Sequence, residues 1–202
     1  MEYTDLIKRR RAVNFFDESV GITMAEIREI YEDAKLAPSS FNLQPLKVVV
    51  VTSSTMKEKL KNVANNQPKI TEASAILVLF GNLKQYLEAD DIFEDRVKKG
   101  YMTKEQLPIY REVARQLYEK NEEAFVSRNI GIFAMNFMLA ALDKGWDTHP
   151  MDGFDVEGVI NLFNLDSKYY PVLLIAIGKR DTKTELLPRC KRRDFDEIFV
   201  EM

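Results

Sequence analysis

The chain has 202 residues, 46% of them hydrophobic, and a net charge of −3 at pH 7. This length and composition predict one globular domain, residues 1–202, with a substantial core. The net negative charge argues against nucleic acid as a partner. A single cysteine excludes an internal disulfide, and a single histidine leaves a metal site short of ligands, so no metal is expected.

The amino terminus has no signal-peptide pattern, and no uninterrupted apolar run is long enough to span a membrane. We therefore expect a cytoplasmic protein with no membrane partner. Hydrophobic periodicity then predicts helix, helix, strand and helix in the first third of the chain. In order, these are a helix from Tyr3 to about Arg10, a helix that begins at the Thr23–Glu26 capping box and ends at Pro38, a buried strand at Val48–Val51, and a helix from Met56 to about Ala64 capped by Ser54.

The middle of the chain combines a buried strand with two contrasting helical segments. Ala75–Phe80 is apolar on both faces, which predicts a strand inside the sheet. Residues 83–123 are heavily charged, and we read them as a helical insertion that gates or shapes a pocket, or alternatively as a solvated helical hairpin. Phe125–Asp143 predicts a helix that is apolar on all sides, and such a helix is central to the domain or covered by a second subunit.

The last part of the chain predicts a loop, a helix, a third buried strand and a basic tail. The loop is 146–155, the helix begins at Asp155, the strand is Pro171–Ile177, and residues 179–202 form a carboxy-terminal extension. Strong strands separated by helices indicate a layered arrangement of helices and sheet within one domain.

Residues 36–45 combine two hydroxyls and two amides between a helix end and a buried strand. Such a loop suits recognition of a planar polar ligand. The same residue types also form ordinary turns, so both interpretations stay open at this point.

Four segments, in order, carry a resemblance to the FMN-dependent nitroreductase family. Residues 10–17 (RRAVNFFD) resemble its R-R-S-x-R-x-F signature, and residues 37–45 (APSSFNLQP) resemble its A-P-S-S-x-N-x-Q-P-W segment. Residues 150–155 (PMDGFD) are similar to its P-x-x-G-F-D loop, and Lys191-Arg192-Arg193 is similar to its carboxy-terminal basic motif. The order and spacing match over nearly the whole chain.

The resemblance implies an α+β fold, a mixed sheet sandwiched by helices, in a single-domain subunit of an intertwined homodimer. It also implies an enzyme with FMN at the dimer interface, NADH or NADPH as electron donor, and a small-molecule acceptor such as a nitroaromatic or a quinone. The flavin carries the chemistry, so no catalytic side chain is required.

The resemblance implies a role for each matching residue. Arg10 and Arg11, with Lys191 and Arg193, would hold the FMN phosphate, because cationic side chains suit phosphate oxygens. Pro38, Ser39, Ser40, Asn42 and Gln44 correspond to the flavin loop given by the neighbouring subunit. Asn66 and Lys69 match an N-x-x-K pair at the pyrimidine edge of the ring, and Pro150, Met151, Asp152 and Gly153 correspond to the segment whose backbone faces flavin N5 and O4.

Three residues depart from the family pattern. Ala12 replaces a serine and removes a hydroxyl donor, and Leu46 replaces a tryptophan. Asn14 stands where a cation near flavin N1 and O2 is common, and a cation there favours the anionic reduced flavin. We therefore expect a flavin that is harder to reduce.

Two other functions fit parts of the sequence. A flavin-binding or flavin-sensing protein with little turnover would explain Asn14. A nucleic-acid-associated module would use the basic residues at 8–11 and 191–193, but the net negative charge speaks against it.

Overall fold

The computed structural model describes residues 2–202, so Met1 of the predicted domain lies outside the described residues. These residues form eight α-helices and four β-strands. In chain order they are α1 (Tyr3–Arg9), α2 (Met24–Ala34), β1 (Leu46–Val51), α3 (Ser54–Asn62), α4 (Lys69–Glu72), β2 (Ala75–Asn82), α5 (Asp90–Lys98), α6 (Leu107–Tyr118), α7 (Glu122–Asp143), β3 (Asp147–Met151), α8 (Val156–Phe163) and β4 (Tyr169–Gly178).

The four strands form one sheet in the order β1-β2-β4-β3. Each neighbouring pair is antiparallel, and an isolated parallel bridge joins Ala12 to Thr148 beside β3, so the only parallel pairing in residues 2–202 is that bridge. Strand β2 is buried along its whole length, which confirms the prediction of a strand inside the sheet.

The prediction of a loop over 146–155 is wrong for its first half, because residues 147–151 form β3. The sequence did not predict this strand because Pro150 is a residue type typical of loops. A proline is tolerated here because β3 is the last named strand of the sheet, where not every N–H is needed for pairing.

Helices cover both faces of the sheet, as an α+β sandwich requires. One face packs its alternate side chains, among them Leu77 and Ile175, against α2 and α7. The opposite face packs Ile76 and Leu174, among others, against α3, α4 and α8. The predicted sandwich of a sheet between helices is therefore confirmed.

Helix α7 has the length and composition of a membrane-spanning segment, yet it packs along the sheet as a core helix does. Its contact with β2 is close, because a Cβ on Gly81 would lie 2.3 Å from Cβ of Val126. The helix is not buried on all sides within one chain, since Ile132 and Met135 are 41% and 40% exposed.

The charged segment 83–123 contains α5 and α6 and buries its own aromatic cluster. Phe93 and Tyr86 are buried there, and Tyr118 stacks on Phe125 with ring centroids 4.2 Å apart. The many charged residues of the segment gave no sign of this cluster in the sequence. Its aromatic side chains pack the segment against the start of α7.

One helix cap is confirmed and one is corrected. The backbone N–H of Glu26 donates to Thr23 Oγ1 at 3.2 Å, and the N–H of Thr23 donates to Glu26 Oε2 at 2.8 Å, which is the predicted capping box. The cap of α3 is Ser53 rather than Ser54, since Ser53 Oγ accepts from the N–H of Met56 at 3.3 Å.

Candidate functional site

The loop that joins α2 to β1 has an unusual backbone. Phe41, Asn42 and Gln44 have φ values of 54°, 58° and 47°. The left-handed region costs an L-residue roughly 1–2 kcal/mol, and asparagine tolerates it best. Three such residues in four indicate a loop whose shape is imposed by its surroundings, which is common at functional sites.

Several contacts hold this loop. Leu43 is fully buried, and Phe41 packs edge-on against Tyr118 with ring centroids 6.1 Å apart. Ser39 Oγ accepts from the N–H of Gln44 at 3.0 Å. The side chain of Asn42 is exposed, as is that of Pro38, so both are available to a ligand.

A cleft of about 470 Å³ opens beside the loop. Pro38, Ser39 and Gln44 contribute to its lining, together with residues of α2, β1, β2 and α7. Most of the lining residues are apolar, and Arg28 and Lys35 add two positive charges. This combination of apolar walls and a few polar groups is typical of small-molecule sites.

A second group of site residues surrounds the end of α1 and the carboxy-terminal tail. Arg189 donates from Nη2 to the backbone oxygens of Lys8 and Arg10, the latter at 2.9 Å, and Arg11 donates from Nη2 to Leu187 O. These bonds tie the tail to the carbonyl end of α1, where a cation is favoured by the helix dipole.

The resulting arginine cluster consists of Arg10, Arg11, Arg189 and Arg192. The pKa of Arg10 is lowered, first by burial and then by repulsion from Arg189, Arg192 and Arg11. Within residues 2–202, no carboxylate lies within ion-pair distance of these four guanidinium groups. The cluster therefore has excess positive charge and is suited to bind an anion.

The structure distributes the tail cations differently from the resemblance. Lys191 lies with Nζ 3.7 Å from Glu197 Oε2, while the tail residues whose charge acts on Arg10 are Arg189 and Arg192. Arg193 is exposed. The cations of the tail that join the cluster are therefore Arg189 and Arg192, whereas the resemblance implied Lys191 and Arg193.

The predicted pair Asn66 and Lys69 lies next to the predicted segment 152–153. Gln67 Nε2 donates to the backbone oxygen of Gly153 at 2.9 Å and links the two segments. Asn66 has a φ of 51° and an exposed side chain, and Lys69 begins α4. Both Asp152 and Gly153 are exposed, so their backbone is accessible.

Residues 12–14 run beside β3. His149 Nδ1 lies 2.8 Å from the backbone oxygen of Val13. The pKa of His149 is lowered, mainly by burial and then by Lys69, so the ring is neutral at pH 7 and its Nδ1–H donates to Val13. Asn14 is half-buried and Ala12 is exposed, and both line a small groove between residues 11–15 and the tail.

Pro150 and Met151 belong to β3 rather than to a loop. The side chain of Met151 is 3% exposed and packs in the core. Its side chain is thus unavailable to a ligand, and only its backbone could take part.

The candidate residues form two groups at opposite edges of the sheet. Residues 38–44 precede β1, while Ala12 is bridged to β3 at the far edge. Three inter-strand spacings separate β1 from β3 and a fourth leads on to Ala12, so at about 4.8 Å each the two groups lie roughly 19 Å apart across the sheet. One chain does not bring both groups together.

Sequence reasoning missed three residues of these groups: Gln67, Asn129 and Arg189. Asn129 lies within the apolar run of α7, and its 4% exposure and contact with Ser40 could not be read from periodicity. The polar residue in an otherwise apolar stretch was the available signal.

Comparisons with known proteins agree on one family. The family model described as "Nitroreductase family" matches residues 7–179. The chain is 39% identical over 204 residues to the protein named "Putative NAD(P)H nitroreductase MhqN" of Bacillus subtilis (strain 168), covering 99% of this chain and 98% of that protein. It is 31% identical to the "CLA biosynthesis enone reductase" of Lactiplantibacillus plantarum, covering 88% of this chain and 85% of that protein.

A solved structure extends the similarity to the whole fold. It is described as a "putative nitroreductase in complex with FMN" from Exiguobacterium sibiricum 255-15, and it has a TM-score of 0.86 at 28% identity. The match covers 100% of this chain and 98% of that chain. Together with the sheet order and the four motifs, these similarities place the chain in the nitroreductase family.

Proposed function

We propose that this protein is an FMN-dependent oxidoreductase that transfers a hydride from NADH or NADPH to a small-molecule acceptor. Bound FMN would supply the redox chemistry, accepting the hydride at N5 and passing it to a nitroaromatic, a quinone or a related acceptor. The chain's own residues would bind and orient the cofactor and admit the two substrates in turn.

The arginine cluster is the observation that carries this proposal. Burial and then repulsion from Arg189, Arg192 and Arg11 lower the pKa of Arg10, and a dianionic phosphate would relieve that repulsion. The donor set therefore fits the phosphate of FMN. Arg10, Arg11, Arg189 and Arg192 are the residues proposed to hold it, with Lys191 and Arg193 on the outer side of the tail.

The remaining predicted residues fit the other parts of the cofactor. Asn66 and Lys69 offer an amide and a cation to the pyrimidine edge, and the backbone of Asp152 and Gly153 offers donors to the ring. Gln67 would fix the distance between these two segments through its bond to Gly153. No side chain is assigned a proton-transfer step.

We also propose an intertwined homodimer with FMN at its interface. The arginine cluster and the loop 38–44 lie at opposite edges of one sheet, so a second copy is needed to bring Pro38, Ser39, Ser40, Asn42 and Gln44 to the same flavin. The exposed apolar side chains of Ile132 and Met135 on α7 support a face that a partner covers.

The proposed subunit is one domain located in the cytoplasm. Its insertion is the segment 83–123 with α5, α6 and their aromatic cluster, and its extension is the tail 179–202. The exposed side chains of Phe195, Ile198 and Phe199 in this tail support its contact with a second copy.

Visible absorption of the purified protein tests the function. FMN is added, NADPH and then NADH are supplied without oxygen, and a nitroaromatic, a quinone or an enone follows. We expect the flavin band to bleach with a donor and to return with an acceptor. A bound flavin that neither donor bleaches would favour the flavin-binding alternative, and a protein that takes up no FMN would refute the proposal.

A further inference from the structure

Helix α7 presents two amide side chains on the face that packs against the domain. Asn129 and Asn136 are seven residues apart, which is two helical turns, so they lie on the same face. Asn129 is 4% exposed and Asn136 is half-buried. A buried amide is retained only where its hydrogen bonds are made.

Asn129 bonds the loop directly. Its Oδ1 accepts from the backbone N–H of Ser40 at 2.8 Å, and its Nδ2 donates to the backbone oxygen of Phe125 at 2.7 Å. The oxygen faces a donor and the nitrogen faces an acceptor, which fixes the orientation of the amide. The side chain of Asn129 thereby joins α7 to Ser40, although the two residues are 89 positions apart in the sequence.

Asn136 holds the chain on the other side of the same loop. Its Nδ2 donates to the backbone oxygen of Ala34 at 3.0 Å and to that of Asp33 at 3.3 Å. These carbonyls belong to the last turn of α2, and each also accepts a backbone hydrogen bond, Asp33 O from Leu36 and Ala34 O from Ala37. The two amides therefore restrain the chain at the end of α2 and again at Ser40.

The backbone of the loop 39–44 needs contacts from outside the loop to keep its conformation. Phe41, Asn42 and Gln44 have left-handed backbones. Within residues 2–202, the other hydrogen bonds of the loop 39–44 are local, such as the bond from the N–H of Gln44 to Ser39 Oγ. The bond to Asn129 is the long-range hydrogen bond that opposes relaxation of this backbone.

We propose that Asn129, assisted by Asn136, is a positioning residue that sets the conformation of the loop 39–44 and thereby the affinity for the cofactor. The effect on affinity rests on the proposed function, whereas the effect on the loop does not. Neither amide is assigned a contact with the flavin. The side chain of Asn129 acts through the backbone of Ser40.

The test compares matched variants of the full chain. Asn129→Leu removes both bonds at similar volume, and Asn129→Asp keeps an oxygen that faces Ser40. Val78→Ala, at a fully buried position on the face of β2 that packs against α3, α4 and α8 rather than α7, controls for a general loss of stability. Amide hydrogen exchange of residues 39–44 is measured without FMN, and the Kd for FMN is measured by fluorescence titration.

In Asn129→Leu we expect exchange in residues 39–44 to be at least tenfold faster and the Kd for FMN to be about tenfold higher. Asn129→Asp is expected to fall between wild type and Asn129→Leu, and Val78→Ala to keep the Kd within twofold of wild type. A purely structural role would raise the Kd in neither Asn129 variant once the protein is folded.

A folded Asn129→Leu protein whose exchange and Kd both match Val78→Ala would overturn the proposal. Should Asn129→Leu fail to fold, Asn129→Asp and Asn136→Leu provide the same comparison, and unchanged exchange in both would again overturn it. If the wild-type protein binds no FMN, the proposed function fails, and exchange in residues 39–44 alone decides whether Asn129 positions the loop.

Discussion

Replacing Arg192 by glutamine is expected to weaken FMN binding while leaving the cofactor-free protein at least as stable as wild type. The hydrogen bonds of Arg192 run from Nη1 to the backbone oxygens of Cys190 at 3.1 Å and Lys191 at 3.4 Å, both within its own exposed segment. Its loss therefore removes little that holds the fold. It also removes one of the charges that lower the pKa of Arg10.

The expected size of the effect follows from the charge that the cluster offers to the phosphate. A hydrogen bond to a charged group contributes about 1.5–3 kcal/mol. That range corresponds to roughly 13- to 160-fold in Kd. The dependence of log Kd on log salt concentration should also become shallower, because one charge no longer takes part.

Lys191→Gln provides the matched control, since Lys191 directly precedes Arg192 in the chain but its side chain pairs with Glu197. Its Nζ lies 3.7 Å from Glu197 Oε2 and is exposed to solvent, so its loss should change the Kd less than threefold. The Kd is measured by fluorescence titration at two salt concentrations, and the stability of FMN-free protein is measured by urea unfolding. Equal effects of the two substitutions, or a clear loss of stability in FMN-free Arg192→Gln, would refute the role of the cluster.

Three further predictions concern other parts of the protein. Asn14→Lys should raise the FMN midpoint potential because it restores a cation near the ring, whereas Asn62→Lys, on an exposed site of α3, should not. Gly81→Ala should lower the free energy of unfolding by about 2–3 kcal/mol, because the new Cβ would lie 2.3 Å from Cβ of Val126 in α7. Gly21→Ala, where a Cβ would meet no atom within 4 Å, should change the free energy of unfolding little. Burial holds the pKa of His149 below its usual 6.5, so the contribution of this residue to stability is present above about pH 6.5 and is lost as the pH falls toward the folded-state pKa. His149→Gln should therefore make the free energy of unfolding less pH-dependent in that range, and an unchanged pH profile would contradict this.

The helices and the buried strands were predictable from the sequence because their side chains are patterned at 3.6- or two-residue periods. The capping box at Thr23 and Glu26 was predictable for the same local reason, since both partners lie within four residues. Strand β3 was not, because Pro150 and its polar neighbours lack a strand pattern and the pairing with β4 stabilises the segment from outside.

The candidate site divides in the same way. The motifs near residues 10–17, 37–45 and 150–155 predicted the family, which the comparisons confirm, and they supplied most of the candidate site residues. The tail was harder, since irregular backbone has no period that fixes which side chains point inward. Contacts of Arg189 with the end of α1 bring the tail beside Arg10, the charge of Arg192 acts on Arg10 from there, and Lys191 turns to Glu197.

The family, the main helices and strands, and the polar and charged residues offered to a flavin follow from the sequence alone. The packing of the layers was needed to place the arginine cluster and the loop 38–44 at opposite edges of the sheet, and to bring Asn129 to Ser40. A sequence pattern reports how much each local face is buried, whereas hydrogen-bond partners far apart in the chain are set by how the layers pack.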